Sequence, residues 1–320
     1  MAMTYFDIFN GDADGICALH QLRLHEPRSA TLITGVKRDI SLLSRTPATS
    51  GDQLTVLDIS LNSNREALQQ HLAQAIDVQY FDHHFAGDIP LSEHLFACID
   101  PSAEVCTSLL VNQHLGGAHV PWAVVGAFGD NLHAAARLAA APLALDDAAL
   151  NQLEHLGMLL NYNGYGVTED DLWLHPADLY RAVSAYANPF DFITQSPAYR
   201  LLDEGYHEDI AHSNQLETLC ETTHTAAFVL PDEPWARRVS GVLGNQLACA
   251  HPDRAHALLT ALEGDIYRVS VRAPLSNKNH ADTLCMQFPT GGGRKGAAGI
   301  NALPREQLDD FITAFGNCYE

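Results

Sequence analysis

The stretch "VQYFDHHFAGD", residues 78–88, joins the pattern of a buried strand to a cluster of polar side chains. Its first four residues continue an apolar and aromatic pattern suited to a buried strand. Asp82, His83 and His84 follow at once. Loops are normally polar, so a strand that ends in this triplet does not by itself identify a site. The rest of the chain decides how the triplet should be interpreted.

Four further runs rich in β-branched and aromatic residues lie within the first hundred residues, at "MTYFDIFN", "ATLITGV", "LTVLDIS" and "LFACID". Such short runs predict strands. Helix-like segments lie among them and directly after them, at residues 16–25, 64–75, 104–115 and 122–128. The alternation predicts an α/β domain with a doubly wound parallel sheet.

The remainder of the chain predicts two further parts. Apolar residues at helical spacing extend from about residue 145 to 230 and include "DIAHSNQLETLCETT", residues 209–223. After residue 225 come strand-like and helix-like segments, among them the alternating run "IYRVSVRAP". We therefore expect a catalytic domain over 1–145, a helical cap and connector over 146–224, and a smaller α/β substrate-binding domain over 225–320.

Charge and cysteine content limit the function. The 320 residues include 39 acids and 18 bases, for a net charge of −21, which would repel a long nucleic-acid backbone. Seven cysteines stand singly, and their odd number argues against a disulfide framework. We find no apolar run near the roughly 20 residues that cross a bilayer, and no basic leader, so we expect a cytoplasmic protein without a membrane partner.

Acids and imidazoles follow several of the predicted strands. Ligands of open parallel sheets bind beyond the carboxyl ends of the strands. Near these ends, or after a helical run in the case of the last residue, stand Asp12, Asp14, Asp58, Asp82, His83, His84 and Asp130. Each acid alone could be a helix cap or a turn residue. Separate caps and turns do not explain why these acids gather at one edge of the sheet. Carboxylates that lie close together repel one another and raise one another's pKa values unless a cation is present.

A pair of divalent cations would remove that repulsion. Oxygen ligands with a minority of imidazole suit Mn²⁺ or Mg²⁺, and the absence of thiolates argues against a structural zinc site. Two ions about 3.5 to 4 Å apart can activate a water and stabilise charge on a phosphoryl group. The pattern therefore predicts phosphoester hydrolysis with two divalent ions. Mn²⁺ is the first candidate metal and Mg²⁺ the second.

In this order, "GDADG", "LDIS", "DHH" and "GDN" resemble the four motifs of the DHH phosphoesterases. The ending "GGGRKGAAG" is similar to the signature of the DHHA1 domain found in RecJ exonucleases and nanoRNases. The resemblance implies five metal ligands, with Asp58 bridging: Asp12, Asp14, Asp58, His83 and Asp130. It also implies that Asp82 orients an imidazole and that His84 contacts the scissile phosphate or protonates the leaving oxygen.

Two positions depart from the family pattern. Relatives usually carry a His or Asp ligand shortly before the Asp-x-Asp pair, where this chain has Ile8 and Asn10, and Asp7 would serve only if the strand shifted register. One metal site is therefore expected to be weaker or to rely on water. The glycine-rich motif usually carries His after its glycines, where this chain has Arg294. Arginine is no acid or base near neutral pH, but it binds phosphate.

Two segments are candidates for substrate binding. In the C-terminal domain, glycine N–H groups and basic side chains suit a phosphate; these are Gly292, Gly293, Arg294, Lys295 and Arg272. In the middle segment, "NYNGY" is either an ordinary turn between helices or a loop that recognises a base, through Asn161, Tyr162, Asn163 and Tyr165.

Together these features predict an enzyme that hydrolyses short 5′-phosphorylated oligoribonucleotides to mononucleotides. The resemblance makes the dinucleotide pGpG the first candidate substrate. A pAp phosphatase, a cyclic-dinucleotide phosphodiesterase, a RecJ-like single-strand exonuclease and a catalytically inactive nucleotide sensor are the alternatives. Long nucleic acid is not expected as a partner. Base preference, the physiological metal and the assembly, with a homodimer as one option, stay open.

Overall fold

The structure is a computed structural model that describes residues 3–213 and 216–320. The chain divides into two compact units, Met1–Glu204 and Gly205–Glu320. The boundary between them lies inside one helix, Pro197–Ser213. Within the described residues, no helix is both long enough and apolar enough to cross a membrane.

The first unit is built on a parallel sheet of five strands in the order β2-β1-β3-β4-β5. The strands are β1 (Tyr5–Phe9), β2 (Thr31–Ile33), β3 (Gln53–Leu57), β4 (Asp77–Asp82) and β5 (Leu95–Ile99). The predicted α/β class and parallel sheet are confirmed. Strand β2 lies on one side of β1, and the later strands β3, β4 and β5 lie on the other side. Sheets of this kind form a crevice for ligands at such a change in strand order, here between β1 and β3.

The helices of this unit follow the predicted alternation. They are α1 (Ala13–His25), α2 (Leu61–Ala73), α3 (Thr107–His114), α4 (Val120–Gly129), α5 (His133–Ala140), α6 (Asp147–Asn163), α7 (Pro176–Ser184), α8 (Pro189–Gln195) and α9 (Pro197–Ser213). Alternate strand residues such as Ile8 and Val56 form a core with Leu61 and Leu68 of α2. Their neighbours along the strands face the opposite way, toward α1.

Close packing of helices sets the position of the residue that follows α4. A Cβ atom on Gly129 would lie 2.2 Å from the Cβ atom of Ala13 and 2.8 Å from the carbonyl oxygen of Gly157. Only glycine therefore allows α4 to approach α1 and α6 this closely. The contact brings Asp130, the C-cap of α4, to the beginning of α1.

The second unit contains a mixed sheet of six strands in the order β10-β11-β9-β8-β7-β6. Its elements are β6 (Glu217–Glu221), β7 (Thr225–Leu230), α10 (Pro234–Ala250), β8 (Ala255–Leu262), β9 (Ile266–Arg272), α11 (Ala281–Cys285), β10 (Gly291–Arg294), β11 (Ala297–Pro304) and α12 (Leu308–Tyr319). Strands β7 and β8 pair in parallel, and the other neighbours are antiparallel. Phe311 and Phe315 of α12 fill the core on one face.

Two local predictions are wrong. The helical pattern over 209–223 fails at Glu217–Glu221, which is an edge strand because it pairs with β7 and packs Leu219 on the core. Residues 214 and 215 of that segment lie outside the described residues. The predicted loop at 161–163 is the last turn of α6. The glycine-rich ending forms the hairpin of β10 and β11, with β10 at the edge of the sheet.

Candidate metal centre

The turn between β1 and α1 presents Asp12 at the beginning of the helix. Asp12 is the N-cap, and its Oδ1 atom accepts the N–H groups of Asp14 at 3.0 Å and Gly15 at 3.1 Å. A Cβ atom on Gly15 would lie 2.2 Å from the carbonyl oxygen of Asn10, so this position requires glycine. The tight turn explains why glycines stand on both sides of the Asp-Ala-Asp run in "NGDADG".

Asp14 connects α1 to the N-terminus of α3. Its Oδ1 atom accepts the N–H group of Ser108 at 2.7 Å, and its Oδ2 atom accepts that of Thr107 at 2.8 Å. Cys106, the N-cap of α3, makes no side-chain capping bond of its own. The carboxylate of Asp14 therefore caps a second helix, whose N-terminal dipole stabilises its negative charge. Sequence reasoning did not identify Thr107 or Ser108.

Asp58 follows β3 in a strained conformation. Its φ of 58° lies in the left-handed region, which costs energy for a residue other than glycine and often occurs at functional sites. Its N–H group donates to the Phe81 carbonyl at 3.0 Å, and its Oδ1 atom accepts the Thr107 hydroxyl at 3.2 Å. Burial, together with the charges of nearby carboxylates, raises the pKa of Asp58 well above its usual value.

The Asp-His-His triplet turns at the end of β4. Asp82 is fully buried, and its Oδ1 atom accepts the N–H group of His83 at 2.9 Å. The same oxygen lies 2.7 Å from Nδ1 of His84, which leaves Nε2 of that ring for a ligand. Burial lowers the pKa of His84, but the hydrogen bond to Asp82 and the charge of that carboxylate outweigh it, so the pKa is raised.

Carboxylates converge on His83. Its Nε2 atom lies 3.4 Å from Oδ1 of Asp58, 3.7 Å from Oδ2 of Asp130 and 4.0 Å from Oδ2 of Asp14. The ligand atoms of Asp58, His83 and His84 all lie within 4.8 Å of one another. Oxygen atoms with a minority of imidazole nitrogen fit Mn²⁺ or Mg²⁺.

The carboxylates of this cluster are buried and need positive charge nearby to stay ionised. Asp12, Asp14 and Asp58 are 2 %, 1 % and 2 % exposed. Burial also raises the pKa of Asp130, and although Lys37 acts against this, the net shift is upward. Buried carboxylates at this spacing stay ionised together only if cations neutralise them. The cluster therefore fits a divalent ion both by donor type and by charge.

Lys37 is a functional candidate that sequence reasoning missed. It follows β2, whose carboxyl end lies beside that of β1, so the strand-end rule could have found it. Its Nζ atom donates to Oδ2 of Asp12 and, at 2.8 Å, to Oδ1 of Asn161. It also lies 3.7 Å from Oδ1 of Asp130. Lysine is not a metal ligand, and a search for ligands alone passes over it.

The charges around Lys37 change the acidities of the groups involved. Burial alone would lower the pKa of the Lys37 ammonium, but Asp12, Tyr165 and Asp130 raise it well above its usual value. Burial alone would raise the pKa of Asp12, and the charge of Lys37 outweighs this, so that pKa is lowered. Asp12 and Lys37 therefore form a charged pair.

The positions before Asp12 supply no additional charged ligand. Asp7 faces α1 and forms an ion pair with Arg23, with 2.8 Å between Nε and Oδ2. Ile8 is fully buried in the core, and Nδ2 of Asn10 donates to the Lys37 carbonyl at 3.2 Å. Strand β1 pairs with β3 in unbroken register from Tyr5 to Phe9, so Asp7 does not shift toward the cluster.

The four residues predicted for base recognition have different environments. Asn161 contacts Lys37, and the half-buried ring of Tyr165 lies 5.7 Å from the Lys37 Nζ atom. Tyr162 is fully buried and accepts a hydrogen bond from Trp173 at 2.8 Å. The side-chain amide of Asn163 bonds to the backbone of residue 174 at 2.8 and 3.0 Å. The structure therefore brings only the first two residues to the carboxylates.

In the second unit, the register of the sheet places two arginines on one face. Arg272 is opposite Ala297, and Ala297 is opposite Arg294. Residues opposite one another on neighbouring strands share a face, so the two arginines stand about 10 Å apart, two strand spacings, with only a methyl group between them. Asn245 accepts a hydrogen bond from Nε of Arg272 at 3.0 Å, and Ser270 accepts one from Nη1 at 3.1 Å.

The neighbouring row on the same face is nearly bare. Ser270 is opposite Gly299, and Gly299 is opposite Gly292, where a Cβ atom would meet nothing within 4 Å. Gly293 has a φ of 143° and packs against Ala298, and Lys295 is exposed in the turn of the hairpin. Three of the five residues predicted for phosphate binding, Gly292, Arg294 and Arg272, therefore line one glycine-rich strip of sheet.

Several solved structures resemble this chain over 98 % of its length. Exonuclease RecJ bound to manganese has a TM-score of 0.61 at 15 % identity, with 89 % of that chain covered. The DHH domain of a member of the s1p family of ribosomal proteins has a TM-score of 0.61 at 12 % identity, with 86 % covered. The pGpG-specific phosphodiesterase PggH from Vibrio cholerae has a TM-score of 0.56 at 15 % identity, with 100 % covered.

Sequence comparison adds no further relative. No family model matches the chain, and neither does any curated protein. At 12 to 15 % identity, the structural likeness concerns the fold. The residues that converge on His83 come from the four motifs through which the sequence resembles DHH phosphoesterases. We conclude that this chain has the fold of the DHH-domain structures, RecJ and PggH among them.

Proposed function

We propose that the chain is a metal-dependent phosphoesterase that hydrolyses short 5′-phosphorylated oligoribonucleotides, with pGpG as the first candidate. One observation carries the proposal: carboxylates from the beginning of α1, the end of β3 and the end of α4 converge on the Nε2 atom of His83 at the carboxyl edge of the sheet. The fold likeness to a RecJ exonuclease and a pGpG phosphodiesterase supports the same class of reaction.

The donor set fits a divalent ion, which when bound would supply an activated water and stabilise charge on the phosphoryl oxygens. The residues that would bind it are Asp14, Asp58, His83 and Asp130. Helix α3 fixes Asp14 through two backbone hydrogen bonds, and Thr107 fixes Asp58. These contacts hold the carboxylates in place before a ligand arrives, which favours both affinity and rate.

We propose that His84 acts as the general acid. The bond that breaks in pGpG joins phosphorus to the 3′ oxygen of the first nucleotide. Water forms a bond to phosphorus and gives up one proton to the solvent, the bond to the 3′ oxygen breaks, and that oxygen leaves with a proton from Nε2 of His84. His84 then regains a proton from the solvent, and the products are two mononucleotides. Asp82 binds Nδ1 and so keeps the proton donor on the other nitrogen.

The arginine strip of the second unit suits the end of a short substrate. Arg272 and Arg294 can each form two hydrogen bonds to a phosphate, and the bare row at Gly292 and Gly299 lets a flat base or a backbone approach the sheet. We propose that these arginines, with Lys295 and the N–H groups of the glycines, bind the 5′ phosphate. The net charge of −21 also disfavours binding of a long nucleic-acid strand.

Base recognition is proposed for the residues that the structure leaves near the carboxylates. Tyr165 is half-buried, and Asn161, although buried, borders Lys37, whereas Tyr162 and Asn163 bond to other parts of the fold. We therefore keep the proposal for Tyr165 as a stacking surface and for Asn161 as its polar neighbour. Stacking on tyrosine is tolerant of base identity, so guanine preference does not follow from it.

Product analysis tests the proposal. Purified protein is incubated with Mn²⁺ or Mg²⁺ and, separately, with pGpG, pApA, pAp, a cyclic dinucleotide and a long single strand. We expect mononucleotides from the two linear dinucleotides. Phosphate release from pAp alone, linear product from the cyclic dinucleotide alone, or salt-sensitive degradation of the long strand would each replace the proposed substrate.

Two variants separate an enzyme from a nucleotide sensor. Asp58→Asn and His83→Ala should reduce turnover of pGpG by at least about 100-fold, because each removes a ligand of the ion. Arg305→Ala, an exposed residue outside the strip, should keep the wild-type rate. Nucleotide binding without turnover in the wild type and in both variants would instead favour the sensor.

A further inference from the structure

Both carboxylate oxygens of Asp12 are already engaged. Oδ1 accepts two backbone N–H groups at the beginning of α1, and Oδ2 accepts the ammonium of Lys37. Asp14 is also bound by two backbone N–H groups and Asp58 by one hydroxyl, but an oxygen of each, and one of Asp130, faces Nε2 of His83 at 3.4 to 4.0 Å. The cluster therefore has two sides. The His83 side contains Asp14 and Asp58, the Lys37 side contains Asp12 and Asn161, and Asp130 has one oxygen toward each.

Lys37 is held in its position by the backbone as well as by the side chain. Its N–H group donates to the carbonyl of Gly164 at 2.8 Å, and its own carbonyl accepts Nδ2 of Asn10 at 3.2 Å. Its side chain is 23 % exposed. The anchored backbone directs the side chain into the cluster, where Asn161 fixes the ammonium from a second side.

The oxygens around the Lys37 ammonium resemble the set that a hard cation would need. They are Oδ2 of Asp12, Oδ1 of Asn161 and Oδ1 of Asp130. No charged ligand reaches this side from the end of β1, because Asp7 is paired with Arg23 and Ile8 lies in the core. A second metal ion would have to displace the ammonium or stay beside it as a like charge.

We propose that the Lys37 ammonium takes the place of one of the two cations that two-metal phosphoesterases use, so that this chain binds a single divalent ion on the His83 side. The inference rests on the proposed function, since it concerns the same site. An ammonium cannot activate water, but its N–H groups can bind a phosphoryl oxygen, and it stays in place when metal is chelated.

The number of bound ions tests the inference in the wild-type protein. Native mass spectrometry and equilibrium dialysis with Mn²⁺ should give one ion per chain at saturation, and low-temperature electron paramagnetic resonance should show an uncoupled Mn²⁺ signal. Two ions per chain, with the spectrum of a coupled pair, would overturn the proposal. This measurement needs no variant and no substrate.

Substitutions at Lys37 and Asp12 then assign the exclusion to the ammonium. Lys37→Met removes the charge at similar length and should admit a second Mn²⁺, whereas Lys37→Arg keeps the charge and should still bind one. Asp12→Asn should also keep the single ion, while His83→Ala should lose it. A Lys37→Met protein that folds, by circular dichroism, yet binds only one ion would contradict the assignment to Lys37.

The experiments distinguish failure of the single-ion proposal from failure of the proposed phosphodiesterase activity. Hydrolysis of pGpG by a protein that carries two Mn²⁺ ions would keep the phosphodiesterase and reject the lysine substitution for metal. One tightly bound ion without hydrolysis of any short substrate would keep the single-ion site and reject the activity.

Discussion

Nδ1 of His84 lies 2.7 Å from Oδ1 of Asp82, and the same oxygen accepts the N–H group of His83 at 2.9 Å. One buried carboxylate at the end of β4 therefore fixes both imidazoles, the first through its backbone and the second through its ring. The other oxygen of Asp82 accepts the N–H group of Leu61 at 3.4 Å, at the beginning of α2. Asp82 therefore acts on the chemistry through His84, as a positioning residue.

Asp82→Asn should shift the pH dependence of hydrolysis. A general acid must be protonated, so activity falls as pH rises through the pKa of His84. Asp82 raises that pKa, and its neutral replacement should lower it, so the alkaline limb of the rate profile should move to lower pH. His84→Ala should lower kcat by about 10² to 10⁴ and remove this limb. A lower rate with an unchanged limb in Asp82→Asn would indicate a purely structural role.

Divalent metal should stabilise the fold, and more so at higher pH. In the metal-free protein, the raised pKa of Asp58 means that the folded state binds this proton more tightly than the unfolded chain does. Stability is therefore lost as pH rises above the ordinary value of about 4 toward the folded pKa. Mn²⁺ at about 100 times its Kd should add about 2.7 kcal/mol to the free energy of unfolding.

Thermal unfolding checks this expectation. The rise in Tm on adding Mn²⁺ should be larger at pH 8 than at pH 5, because protons compete for Asp58 at the lower pH. EDTA should reverse it. An identical Tm with and without Mn²⁺ at pH 8 would contradict the metal site.

Arg272→Ala and Arg294→Ala should each weaken substrate binding through loss of a charged hydrogen bond. Such bonds contribute about 1.5 to 3 kcal/mol, so KM for pGpG should rise by about 10- to 100-fold with a smaller change in kcat. Arg305→Ala serves as the matched control and should leave KM unchanged. Dephosphorylated GpG should show the same KM in wild type and variants, since the proposed contact is to the 5′ phosphate. An equal KM increase for GpG would place the arginines elsewhere on the substrate.

Asp7→Asn should destabilise the first unit without affecting metal binding. Asp7 and its partner Arg23 have side chains only 2 % and 9 % exposed, and breaking a buried ion pair costs about 3 to 5 kcal/mol. Chemical denaturation should show this loss, while Mn²⁺ affinity stays at the wild-type value. Asp77→Asn, at a 61 % exposed residue paired with His94, should cost less than about 1 kcal/mol. Loss of the ion in Asp7→Asn would show that Asp7 is a ligand after all.

Several features of this protein followed from local sequence alone. The strands of the first unit are short runs rich in β-branched and aromatic residues, so their positions could be predicted from residues that lie next to one another. Because parallel strands end at a common edge, the acids and imidazoles after β1, β3 and β4 could be grouped from the strand pattern alone. The helix predicted across Glu217–Glu221 was wrong, because pairing with β7 outweighed the apolar spacing of the segment.

The arrangement inside the cluster depended on tertiary structure. Lys37 is separated from Asp12 by 25 residues and from Asn161 by 124, and only the close approach of two loops and the end of α6 makes them one hydrogen-bonded group. The sequence determined which side chains could bind a cation, since that depends on residue type and on the strand ends. Only the folded chain decided that Asp7 turns away to Arg23 and that an ammonium faces Asp12, because electrostatic energy depends on distance in space and not along the chain.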